Sequence, residues 1–258
     1  MAIGIAISGG GTRGAAHLGV IKALEEAGVT FSAISGTSAG AIVGALYSYG
    51  YSIPEILQVL KEIKVYKLIK PALSWKGILK MDTVYKQLEK YLPERSFTAL
   101  KVPLHIAATN LKTGKTDFFD QGDLVGALCA SSCIPVLFDP VSYNGGSYID
   151  GGILCNLPVQ PLKNSCRYII GSHCNPVDED FTATNARRVL ERTMLLAISC
   201  NVYNKRSECD IFIEPKGIEK YKVLDLSTID KVFQLGYEEG VRQIEAASHI
   251  IQRMKDEL

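Results

Sequence analysis

A chain of 258 residues, 47% of them hydrophobic, is long enough to bury a substantial core. Its 28 Lys and Arg stand against 27 Asp and Glu, a formal net charge of +1, which excludes the general electrostatic pull of a nucleic-acid binder. Seven cysteines without a Cys-x-x-Cys pair exclude a disulfide framework or zinc site and read as buried thiols in a reducing compartment.

Residues Ile3 to Ser8 are apolar or small and predict a buried strand. They run into Gly9-Gly10-Gly11-Thr12-Arg13-Gly14, after which Ala15 to Ala27 predicts a helix. A glycine-rich loop between a strand and a helix exposes successive backbone N–H groups to an anion. Two anions fit. One is a dinucleotide phosphate, because Gly9-x-Gly11-x-x-Gly14 matches that fingerprint. The other is the oxyanion of an acyl-transfer intermediate. The dinucleotide reading also wants an acidic residue near the end of a second strand, about 20 residues on. Glu25 and Glu26 fall inside the first helix instead.

The second predicted strand, near Phe31 to Ser35, delivers Gly36-Thr37-Ser38-Ala39-Gly40. Gly-x-Ser-x-Gly between a strand and a helix is the pattern of a nucleophile elbow, a strained turn that lifts a serine hydroxyl out of the fold. Ser38 alone would equally serve as a helix N-cap. The helix that follows, Ala39 to Leu46, is rich in small residues and suits close packing on a sheet. Ile53 to Ile63 predicts another helix, with Pro54 in its first turn.

From Lys64 to Lys80, five lysines interleave with apolar residues and Trp75, a pattern that fits a lid or an interfacial face; a loop packed on the core with solvated lysines fits it as well. Val102 to Thr109 and Thr116 to Phe119 predict strands joined at Thr113-Gly114, and Leu124 to Ser131 predicts a helix. Tyr148-Ile149 then leads to Asp150-Gly151-Gly152, an aspartate at a strand end able to serve as general base if it meets a serine. Tyr168 to His173 and Ile211 to Glu214 predict further strands, and Ala186 to Tyr203 and Thr228 to Lys255 predict helices. The alternation implies one α/β domain over residues 1–258, a mainly parallel central sheet covered by helices on both faces.

Taken together, the blocks resemble the patatin-like phospholipases of the short bacterial type. Gly9 to Gly14 resembles that family's Gly-x-Gly-x-x-Gly loop, with Arg13 where a basic residue is usual. Gly36 to Gly40 resembles its Gly-x-Ser-x-Gly motif, Ala130 to Pro140 its Ser- and Pro-containing segment, and Asp150-Gly151-Gly152 its Asp-Gly-Gly motif. The resemblance covers residues 3–165 in order and implies a three-layer α/β/α fold. It further implies a Ser38–Asp150 dyad without histidine, an oxyanion hole at Gly10, Gly11 and Thr12, a lipid ester substrate, and no metal or cofactor. Gly9, Arg13, Gly14, Gly36, Gly40, Gly151 and Gly152 would support those groups.

The rival readings are specific. The order Ser38, Asp150, His173 fits an α/β-hydrolase triad, although such an elbow usually follows several strands rather than the second. His17, His105 and His249 read as structural. A lipid-binding or regulatory protein with little turnover would use the same fold. With neither a leader pattern nor a long apolar run, a cytoplasmic location with transient contact at a membrane surface is expected. Lys255-Asp256-Glu257-Leu258 spells an ER-retention signal but reads as the polar end of a helix. Nothing in the sequence speaks to oligomeric state.

Overall fold

The computed structural model describes residues 2–62, 81–135, 137–178 and 180–257; the Lys64–Lys80 segment with Trp75 lies outside them. In the interior of the sheet lies β1 (Ile3–Ile7), whose five residues are all buried. Ile3, Ile5 and Ile7 enter the main core, while Ala6 enters a smaller one on the opposite face, the period of two that a strand imposes. Around it lie β2 (Ala33–Thr37), β3 (Leu104–Asn110), β4 (Lys115–Phe119), β5 (Val141–Tyr143), β6 (Gly146–Asp150), β7 (Tyr168–Ser172) and β8 (Ile211–Ile213). The sheet order is β5-β6-β3-β2-β1-β7-β8, with β4 also on β3. The run β3-β2-β1-β7-β8 is parallel. The strands β4, β5 and β6 are joined antiparallel, so the expected mainly parallel sheet carries an antiparallel end.

The pairing of β3 fixes the geometry that matters. On one edge, its residues Leu104 to Ala107 pair with β2 and Ala108 to Asn110 pair with β6. The other edge belongs to β4, whose register over Ile106 to Asn110 overlaps both. Hence β2 and β6 run towards each other along a single edge of β3. They stop at adjacent residues, Thr37 opposite Ala107 and Asp150 opposite Ala108.

The main core is built by α1 (Ala15–Glu26), α2 (Ala39–Tyr49), α3 (Ile53–Glu62), α4 (Asp82–Tyr91) and α5 (Leu124–Ser131) on one face. The opposite face is covered by residues 157–166 and the end of α6 (Ala186–Tyr203), where Val202 packs beside Leu157, Val159 and Leu162. Helices therefore cover both faces, but unequally. The predicted helix Thr228–Lys255 is two, α7 (Ile229–Ala246) and α8 (Ser248–Asp256), separated at Ala247 (φ −105°, ψ 24°). The break leaves α7 on α1 and lets Ile251 and Met254 of α8 reach the main core. Helix α4 and the three-residue strand β5 had no clear sequence signal. Among the described residues, no helix is long and apolar enough to cross a membrane.

Helices α1 and α7 cross with their backbones in contact. A Cβ on Gly236 would lie 2.0 Å from the Ala16 carbonyl oxygen, and one on Gly19 would lie 2.2 Å from that of Phe233. Backbone cannot retreat as a side chain can, so Gly236→Ala should cost about 3 kcal/mol, read by chemical denaturation. A variant within 0.5 kcal/mol or so of the parent would contradict this packing.

Candidate active site

Ser38 follows β2 directly and precedes α2. Its backbone is in the left-handed half of conformational space (φ 52°, ψ −122°), which a residue with a side chain adopts at a cost of roughly 1–3 kcal/mol. The flanking glycines allow the tight turn. A Cβ on Gly36 would meet Ala41 N at 2.7 Å, and one on Gly40 would lie 2.5 Å from both the Ile7 and Ser8 carbonyl oxygens. The first turn of α2 thus rests on the end of β1. Ser38 also sits at the positive end of the α2 dipole, which favours negative charge developing nearby.

Asp150 ends β6 at the position the β3 edge dictates. Ser38 Oγ donates to Asp150 Oδ2 at 2.7 Å, and Gly152 N–H donates to Oδ1 at 2.8 Å. Burial pushes the Asp150 carboxyl up to about 6, while the Ser38 and Gly152 hydrogen bonds oppose the rise. The residues after Asp150 are tied to β2 on its thinly covered face. There Thr37 Oγ1 donates to Cys155 O (2.9 Å) and Ser35 Oγ to Pro158 O (2.6 Å). A Cβ on Gly151 would lie 2.2 Å from Ala107 O, so this turn, too, presses on β3.

The elbow amide has its own partner. Ser38 N–H donates to Ser131 Oγ at 2.8 Å, and Ser131 Oγ donates to Ala107 O at 2.6 Å. Ser131, fully buried at the end of α5, therefore pins the elbow to β3. Sequence reading placed Ser131 in a motif block but gave it no role.

The glycine loop follows β1. Residues Gly11–Gly14 form a 3-10 turn that leads into α1, and Gly14 packs against Ala39. Gly9 N–H donates to Asn156 Oδ1 (3.0 Å), and Gly9 O accepts from Asn175 Nδ2 (3.0 Å). The Gly10 and Gly11 amides donate to no acceptor among the described residues. The N–H of Thr12, the third expected loop donor, donates to Val223 O at 2.8 Å. Arg13 brings a charged side chain into the surroundings of the loop. It is buried, and its guanidinium donates to Tyr221 O (2.8 Å), Asn175 Oδ1 (3.1 Å) and Glu219 O (3.0 Å). Burial disfavours its charge, and three acceptors compensate.

His17 and His173 bond groups other than Ser38. His173 Nδ1 pairs with Ser8 Oγ (3.2 Å), and His17 bonds Ser172 Oγ (2.7 Å) and Ser8 O (2.9 Å). Burial lowers both, to about 4 for His173 and about 3 for His17, so they are neutral supports beneath the loop. Beside Ser38 opens a mainly apolar cavity lined by Ile42, Leu60, Met81, Val84, Phe138, Leu224 and Leu226, together with Gly11 and Thr12.

Removing Ser131 Oγ orphans a buried amide and a buried carbonyl together, at about 1–3 kcal/mol for each group. Ser131→Ala should therefore unfold at lower denaturant by at least about 2 kcal/mol, with Ser131→Thr closer to the parent. Equal stability of Ser131→Ala and parent would refute the pinning role.

The pattern of the family described as patatin-like phospholipase matches residues 5–163, more than half of the chain. An uncharacterized NTE family protein of Mycobacterium tuberculosis is 34% identical over 163 residues, covering 62% of this chain and 45% of that protein. A protein named lysophospholipase NTE1 in the yeast Meyerozyma guilliermondii is 27% identical over 271 residues, covering 92% of this chain and 19% of that one. This chain thus spans less than half the length of either relative. Among solved structures, VipD of Legionella pneumophila superposes with a TM-score of 0.62 at 15% identity, over 95% of this chain and 66% of that one, a likeness of fold. With its sheet, its elbow and the match over residues 5–163, the chain belongs to the patatin-like phospholipase family.

Proposed function

We propose that this protein is a serine acyl hydrolase that cleaves carboxylic esters of lipids, with Ser38 as nucleophile and Asp150 as general base. The observation that carries the reading is the 2.7 Å hydrogen bond from Ser38 Oγ to a buried carboxylate, made from a strained elbow. The apolar cavity beside Ser38 suits an acyl chain, and the name of the yeast relative points to lysophospholipids as one substrate class.

Asp150 Oδ2 accepts the Ser38 proton as Oγ attacks the ester carbonyl carbon. The Gly10 and Gly11 amides stabilise the oxyanion, and loss of one such donor costs about 3–4 kcal/mol of barrier. The tetrahedral intermediate collapses, the leaving alcohol takes the proton from Asp150, and the acyl group stays on Ser38. Water then attacks the acyl-enzyme and gives its proton to Asp150. On collapse that proton returns to Ser38, and the carboxylic acid leaves.

A base must be ionised to work. With the Asp150 carboxyl near 6, kcat/KM should be level at neutral pH and fall as pH drops through about 6. An acid limb near 4 would contradict burial as the controlling influence. Ser38→Ala and Asp150→Asn should each lower kcat by about 1,000-fold or more with the fold retained. A fluorophosphonate should label Ser38, as read by peptide mass spectrometry; a well-folded protein that is unlabelled, or labelled elsewhere, would sink the assignment.

Asp150→Asn carries a second, opposite expectation. The carboxyl binds its proton more tightly in the folded state (about 6) than in the unfolded chain (3.8). Its contribution to stability is therefore full below pH 4 or so and is lost as pH rises through about 6. At pH 7 the neutral amide escapes that loss, so the variant should be more stable than the parent, by up to about 3 kcal/mol. At pH 4 the difference should shrink towards zero. A gain that is the same at both values would show that ionisation of Asp150 is not its source.

A further inference from the structure

Asn156 sits among the polar groups that surround Ser38. Besides accepting Gly9 N–H, its Oδ1 lies 2.7 Å from where a Cβ on Gly9 would be; that Cβ would also be 3.1 Å from Ser38 Cβ. A Cβ on Gly152 would lie 3.0 Å from both Asn156 Oδ1 and Asp150 Oδ1. The amide is thus wedged between the glycine loop and the turn that holds Asp150. Asn201 closes the arrangement, since Asn156 N–H donates to Asn201 Oδ1 (2.9 Å) and Asn201 Nδ2 donates to Gly152 O (3.3 Å).

The far end of Gly9 is held as firmly. Gly9 O accepts from Asn175 Nδ2 at 3.0 Å and from Cys174 Sγ at 3.5 Å, and Asn175 Oδ1 is held in turn by Arg13. A peptide unit is planar and trans, so its C=O and N–H point in opposite directions. Whatever fixes the Gly9 carbonyl therefore fixes the Gly10 N–H, which belongs to the same plane. Asn175 sets that plane, and Asn156 sets the one before it. Asn156 is only 2% exposed, yet its Nδ2 has no hydrogen-bond partner among the described residues. A buried amide that leaves a donor unmet is unfavourable for folding alone. Its Oδ1 bond to the loop is a reason for it to be there.

We propose that Asn156 and Asn175 are positioning residues that aim the Gly10 amide at the developing oxyanion and hold the glycine loop in register with Asp150. The inference rests on the acyl-hydrolase reading, and it assigns neither residue a contact with substrate. Asn175→Asp keeps the shape and the Arg13 partner but removes the donor to Gly9 O. Asn156→Ala removes the acceptor of Gly9 N–H.

The test is steady-state kinetics of both variants on a short-chain nitrophenyl ester, with Ser38→Ala alongside and folding checked by circular dichroism. Each variant should lower kcat about 10- to 100-fold, below the 100- to 1,000-fold of deleting a donor outright, and leave KM within about twofold. The acid limb of Asn156→Ala should stay where the parent has it, because Asp150 keeps its Ser38 and Gly152 partners. Fluorophosphonate labelling, which passes through a similar charged oxygen, should slow in parallel with kcat. Unchanged kcat in a folded variant, or a change confined to KM, would overturn the proposal. If Asn156→Ala fails to fold, the isosteric Asn175→Asp decides. If Ser38→Ala keeps full activity, the hydrolase reading itself falls. If Ser38→Ala is inert while both asparagine variants match the parent, only this inference does.

Discussion

Everything near Ser38 depends on one edge of β3. Two strands, β2 from one end and β6 from the other, hydrogen-bond to that edge and stop at neighbouring residues, Ala107 and Ala108. Neither can extend without colliding with the other. The chain must turn out of the sheet at both places, and the two turns carry Ser38 and Asp150. Their side chains meet because the register of two ladders leaves them nowhere else to be, 112 residues apart in sequence. Ser131 strengthens the same junction, since its hydroxyl bridges the elbow amide to the carbonyl of Ala107, the β3 residue where β2 ends.

That junction is buried, and burial sets its electrostatics. Among the described residues no cation contacts Asp150; its charge is supported by the Ser38 hydroxyl and the Gly152 amide. Hydrogen bonds from neutral groups lower a carboxyl less than full desolvation raises it, and the balance leaves Asp150 near 6. Such a group is ionised at neutral pH and still basic enough to accept a proton in a transition state. The buried cation of the region, Arg13, is fully engaged with Tyr221, Asn175 and Glu219. The two buried histidines are held neutral. The region thus keeps strong fields away from the Ser38–Asp150 pair while retaining enough polar groups to hold its loops.

What the sequence disclosed were the features that local geometry imposes on residue type. A turn with helix backbone against strand carbonyls admits only glycine at Gly40, and a strained serine beside it is a rare combination. Strands such as Ile3–Ile7 and helices such as Leu124–Ser131 were legible because their burial requires uninterrupted apolar or small residues. The hidden features were those whose cause lies far along the chain. Asn175 looks like a loop residue until β1 and β7 are set side by side, and Asn156 until the turn after Asp150 is tied to the end of β2. Arg13 shows no acceptors until residues 219–221 supply them. The Thr12 amide looks free until Val223 reaches it. The division of the last helix at Ala247 escaped because both halves continue one apolar stripe.

Those long-range partners have a common address. The family pattern ends at residue 163, yet the glycine loop near the start of the chain is held largely from beyond it. Cys174 and Asn175 grip Gly9, residues 219–221 anchor Arg13, Val223 caps Thr12, and Leu224 and Leu226 line the cavity beside Ser38. A loop of consecutive glycines has more conformational freedom to lose than any other sequence. Left to itself it would sample many orientations of its amides, and oxyanion stabilisation requires donors fixed before charge develops. The segment up to residue 163 therefore carries Ser38, Asp150 and the glycine loop, while the less distinctive last third holds that loop in one conformation. Part of that hold is independent of side-chain identity, since a backbone carbonyl such as those of Tyr221 or Val223 serves as an acceptor whatever side chain it carries, whereas Cys174 and Asn175 act through their side chains.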